Sequence, residues 1–178
     1  MPALHRLPLL AFVLIALPVV LAQKEPRQPL TAAQTEQIRD AGTDPDQRIG
    51  LYTKFLNERV DAVKSLAARG HSSARTARLD GDCQDLAALM DELGSNLDQY
   101  GDRKADLRKS LKELNEAAPR WISALRTLPT EPGYDLSRKD AIASGQDLAD
   151  QVADLLKEQT AYFAAHKDEK GQERAEPK

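Results

Sequence analysis

The chain has 178 residues, a formal net charge of −3 and one cysteine, and it is 41% hydrophobic but only 4% aromatic. A lone cysteine closes no internal disulfide, and a mildly acidic chain without a basic, aromatic-interleaved stripe offers nothing to nucleic acid. Leu and Ala dominate the apolar residues, which suits helical bundles and argues against sandwiches and barrels.

Residues 1–22 have the order of a secretory signal peptide. His5 and Arg6 give a basic start, Leu7 to Leu17 is apolar apart from Pro8, Pro18 breaks the run, and Val20-Leu21-Ala22 offers a cleavage site before Gln23. The apolar run is short for a span of about 20 residues, so cleavage is expected rather than anchoring. No second apolar stretch follows, so no membrane span is expected after cleavage. The processed chain would keep 156 residues, the size of one domain, with a net charge of about −4. A periplasmic or secreted location follows from this reading.

Residues 23–30, with Pro26 and Pro29, read as a flexible linker. A single helical domain is expected over residues 31–166. Thr31, with Gln34 three residues on, has capping-box spacing and starts a short helix that ends near Ala41, before Gly42. Asp44 caps the next helix, with Pro45 at its first position. Ile49, Tyr52, Leu56, Val60, Val63 and Ala67 recur at steps of 3 and 4, one stripe of a helix of about 25 residues ending at Gly70.

From Ser73 onward the rhythm is stricter. Leu79, Cys83, Leu86, Met90, Leu93, Leu97 and Tyr100 alternate steps of 4 and 3. The same phase runs on through Lys104, Leu107, Leu111, Leu114, Ala118, Trp121, Leu125 and Leu128, with Lys104 alone out of character. A period of 3.5 sustained so long is a coiled-coil-type packing seam. Because the register does not change across Gly101, one helix is predicted from Ser73 through Ala117, kinked at Pro119 and continuing to Thr127. The alternative is a break at Gly101, which gives a compact up-down four-helix bundle.

Pro129, Pro132 and Gly133 mark a loop. Ser137 is the predicted cap of the last helix, with Leu136 stapled against Ala141. Ile142, Gly145, Ala149, Val152, Leu156 and Phe163 form its stripe, and Gln159 is a polar defect on it. Residues 167–178 read as a disordered polar tail. The fold class is therefore all-α: an antiparallel, coiled-coil-like bundle of three long helices plus a short N-terminal one.

No motif carries catalysis. His71 and His166 lack neighbours at metal-ligand spacing, and no serine elbow or phosphate loop is present. Asp80-Gly81-Asp82 lacks the rest of a calcium loop. The acidic line Asp147, Asp150 and Asp154 reads as a hydrated helix face. No catalytic residue, metal or cofactor is expected. Arg69, Arg75 and Arg78, with His71, form a basic cluster for partner contact, and Trp121 is a candidate anchor. Cys83 reads as a small apolar seam residue, with an intermolecular disulfide as the sharper alternative. The expected function is non-catalytic: protein interaction, including self-association, or scaffolding in the cell envelope. The alternative is a bundle holding a metal ion or small ligand where Cys83, Lys104, Gly145 and Gln159 interrupt the seam.

Overall fold

A computed structural model describes residues 28–102 and 105–167; the predicted signal peptide, Lys104 and all but the first residue of the polar tail lie outside them. Among the described residues the chain is all-α, with five helices in the order α1 (Ala32–Asp40), α2 (Pro45–Ala67), α3 (Ser73–Asp102), α4 (Arg108–Arg126) and α5 (Asp135–Ala165).

The first two helices start where local chemistry dictates. Thr31 Oγ1 accepts from the Gln34 amide while Gln34 Oε1 accepts from the Thr31 amide, so two donors that α1 cannot use internally are satisfied. Gly42 turns the chain with φ +59, a conformation that favours glycine. Asp44 then accepts from the Gln47 amide at 3.1 Å, with Pro45 opening α2. The end of the predicted linker is tied down: Pro29 is buried, and its carbonyl accepts from Arg59, which also pairs with Asp85 at 2.5 Å.

Four long helices surround one core. Tyr52 meets Glu92, Arg59 meets Asp85 and Arg75 meets Leu66, so α2 and α3 run antiparallel. Asp46 meets Ser110 and Asn57 meets Trp121, so α2 and α4 run parallel. Gly94 meets Gln151, and the space beside Gly145 is filled by Met90 and Ile122. These contacts make α5 parallel to α3. Leu125 bonded to Arg138, with Ile122 against Gly145, makes α5 antiparallel to α4. Among the described residues α3 and α4 do not pack on each other, nor do α2 and α5. Each of these pairs lies across a diagonal.

The single middle helix predicted from the unbroken register is corrected. α3 ends at Asp102 and α4 begins at Arg108, and the chain reverses between them. Gly101 itself is helical, so the turn follows it. Leu79 through Tyr100 and Leu107 through Leu128 are nonetheless buried at the positions the seam assigns them. Two helices that face one core from opposite corners keep the same inward phase as one straight helix. Register therefore cannot separate the two folds. Pro119 sits inside α4 on the solvent side, where water reaches the carbonyl it leaves unpaired.

The start of α5 also differs from expectation. Tyr134 occupies the cap position and makes no side-chain cap bond; Ser137 lies buried in the first turn, its hydroxyl donating to the Tyr134 carbonyl. Leu136 is 73% exposed and staples nothing. Tyr134 is held by packing, 1% exposed with its hydroxyl donating to the Pro129 carbonyl, and that fixes where the helix begins.

Gly145 and Gln159 both have structural reasons. A Cβ at Gly145 would lie 3.0 Å from Ile122 Cγ1 and 3.3 Å from Met90 Sδ, so this glycine sets the close approach of α5 to both α3 and α4. Gln159 is buried; its Oε1 accepts from the Leu107 amide and its Nε2 donates to the Ala105 carbonyl, both at 2.8 Å. The apparent seam defect therefore satisfies the backbone of the turn between α3 and α4.

Candidate functional site

The sequence-predicted contact residues separate on folding. Arg69 and Arg78 are exposed, as is His71, in and beside the turn between α2 and α3. Arg75 is only 7% exposed and is committed to the fold. Its Nε donates to the Leu66 carbonyl at 3.2 Å and its Nη2 to the Ala67 carbonyl at 2.7 Å, closing the C-terminus of α2. Its Nη1 reaches both Glu131 oxygens, at 2.8 and 3.0 Å, from the loop before α5. Arg75 thus leaves the partner-contact set, because three of the bundle's segments meet on it. Glu131 is held below the usual carboxylate range by its bond to Arg75.

Trp121 is also removed from the surface. It is 1% exposed, and its indole N–H donates to Asn57 Oδ1 at 2.7 Å. Cys83, on α3, is fully buried in the core, so in this fold its sulfur is not offered at the surface for an intermolecular disulfide. Burial, with Asp82 and Asp80 adding to it, pushes the thiol up to about 12. We expect Cys83 to resist thiol reagents in the native protein at neutral pH and to react stoichiometrically in urea. Native labelling as fast as that of a free thiol would contradict this packing.

What the surface offers lies elsewhere. The parallel helices α3 and α5 leave an open groove of about 380 Å³ lined by Asp91, Gly94, Asp98, Ser144, Asp147 and Gln151, among others. Asp91 and Asp98 are seven residues apart and share one face of α3; Asp147 faces them from α5. All three are exposed, and the described residues give Asp91 and Asp147 no cation partner. No Lys or Arg lines the groove. Gln151 crosses its floor, donating to the Gly94 carbonyl at 3.0 Å and to Asp98 Oδ1 at 2.6 Å. Glycine at 94 makes room for this, since a Cβ would lie 2.9 Å from Gln151 Oε1.

The acidic line of α5 is divided by the packing. Asp147 faces the groove with α3, whereas Asp150 lines the groove with α4 beside Pro119 and Arg126. Asp91 and Asp98 fall between the seam positions of α3, and nothing in the sequence signals that α5 lies parallel to that face. The Asp80-Gly81-Asp82 run is helical, with Asp80 accepting from Gln84 four residues on. Among the described residues no three His, Cys, Asp or Glu side chains are grouped to hold a metal ion, and no helix is long and apolar enough to cross a membrane. Comparison with protein-family models, with characterised proteins and with solved structures finds no match.

Proposed function

We infer that this is an exported, non-catalytic helical protein that works by binding another protein in the cell envelope, and that a basic segment of the partner lies along the α3–α5 groove. Export is supported by the basic start, apolar run and Ala22 cleavage site of the N-terminal sequence. The observation that carries the binding reading is the groove itself: Asp91, Asp98 and Asp147 face solvent along it, with no cation in its lining. A long, shallow, acidic trough between rigid helices favours an extended Lys- or Arg-bearing segment over an enclosed small molecule.

Affinity capture from an envelope fraction, using the processed protein as bait, tests this. The expected result is a basic partner released by moderate salt. The triple variant Asp91→Asn, Asp98→Asn, Asp147→Asn should retain it roughly tenfold more weakly, since three rim charges at about 0.5 kcal/mol each amount to one decade. Undiminished capture by a folded triple variant rejects the groove.

A further inference from the structure

We propose that a second copy of this chain is a built-in partner, reached by exchange of the α4–α5 unit, with α3 and α4 joining into one helix in the exchanged dimer. Three features bear on this. The first is topological. Among the described residues the backbones of α3 and α4 do not lie against each other, so straightening the chain between them separates no pair of adjacent helices. The molecule divides there into an α1–α2–α3 unit and an α4–α5 unit. Among the described residues they meet through the α3–α5 and α2–α4 faces and through the contacts of Arg75 and Thr76 with Glu131, and a second copy can supply all of these unchanged.

The second feature is register. The inward positions Leu97, Tyr100, Leu107 and Leu111 keep their rhythm across the turn, with Lys104 as the one polar residue in that phase. Residues 103–107, Arg-Lys-Ala-Asp-Leu, contain neither Gly nor Pro. If they wind into the helix, both seams stay on one stripe, and a helix from Ser73 to Arg126 spans about 81 Å. The compact and exchanged arrangements share this phase, so the register permits the exchange without repacking either seam.

The third feature is the lock. Leu107 stands at the cap position of α4 without a side-chain bond of its own, and the local restraints are the Asp106 carboxylate on the Arg108 amide at 3.3 Å and the Ala105 amide on the Tyr100 carbonyl. What holds the reversed backbone from across the bundle is Gln159, reaching from α5 to the Leu107 amide and the Ala105 carbonyl. Exchange sacrifices both bonds, while the two backbone groups find partners inside the longer helix. Gln159 therefore acts as a buried polar residue that specifies one assembly over another, at a seam position where an apolar side chain would pack in either.

The test uses Gln159→Leu, which removes the lock. In the monomer it strands the Leu107 amide and the Ala105 carbonyl; in the exchanged dimer it does not. Analytical ultracentrifugation should show a concentration-dependent dimer where the parent chain is monomeric. Nitroxides at Ser95→Cys and Ser123→Cys, diluted with unlabelled protein, report the path of the chain. Exchange should give an intrachain distance of about 42 Å along one helix, against about 20 Å across one bundle. Inserting two glycines after Asp102 into Gln159→Leu should restore the monomer, because they break the long helix but not the turn. A folded Gln159→Leu that stays monomeric, or a dimer that keeps the short distance, overturns the proposal. Should Gln159→Leu fail to fold, the unsubstituted chain refolded from urea at high concentration gives the same reading. A long distance there supports exchange, and its absence overturns it.

Discussion

Replacing Trp121 with alanine should lower the unfolding free energy by about 4 kcal/mol, because a large, almost fully buried side chain is deleted and its space is only partly reclaimed. Trp121 lies at the inner side of α4, 1% exposed, and its indole bonds to Asn57 of α2, so the change loosens the parallel α2–α4 contact. Urea unfolding followed by far-ultraviolet circular dichroism measures it. Trp121→Phe keeps most of the ring and loses the hydrogen bond, and should cost only about 1–2 kcal/mol. As the only tryptophan, Trp121 also supplies the optical probe: native emission should be blue-shifted and move red on unfolding. A Trp121→Ala protein with unchanged stability would mean that this side chain is not in the core.

The next largest effect belongs to Arg75. Arg75→Met retains the packed stem but leaves the Ala67 carbonyl without its side-chain donor and takes the guanidinium from Glu131, while the Leu66 carbonyl keeps the Arg69 amide. A loss of about 2 kcal/mol is expected, since a buried carbonyl left without a donor costs about 1–3 kcal/mol. The pH dependence separates the ion pair from the helix cap. The Glu131 carboxyl is depressed in the folded state, mainly by its bond to Arg75. Its contribution is fully present above the ordinary value of 4.5 and is lost as pH falls through the lower folded-state value. Glu131→Gln should flatten that acid limb and leave stability near neutral pH less affected than Arg75→Met does. An acid limb identical in Glu131→Gln and the parent would exclude the pair as its source.

Much of this architecture is legible residue by residue. The Thr31–Gln34 capping box and the Asp44-Pro45 start are short-range chemistry, in which a side chain and the amide it satisfies lie three residues apart. The buried faces were likewise readable, because a 3.6-residue helix must place Ile49, Tyr52, Leu56, Val60 and Val63 on one side. The seam from Leu79 to Leu128 correctly named the inward residues of both α3 and α4.

The sites were less legible, and the reason is distance along the chain. Arg69, Arg75 and Arg78 look alike in sequence. Only the approach of Glu131, 56 residues beyond Arg75, and of the end of α2 buries one of them and leaves the others exposed. Asp147 and Asp98 become neighbours through the parallel alignment of α5 on α3, which no local pattern encodes.

The sequence by itself determined an all-helical chain, the starts of its first two helices, the inward faces of α2, α3 and α4 and a start with the order of an export signal. Those properties depend on residues within a turn or two of one another. Only the tertiary structure decided that the chain reverses after Asp102, that Gln159 secures that reversal and that Trp121 and Arg75 are internal. Each depends on what packs against a residue from across the bundle. A helical period specifies which side faces inward but not which neighbour waits there.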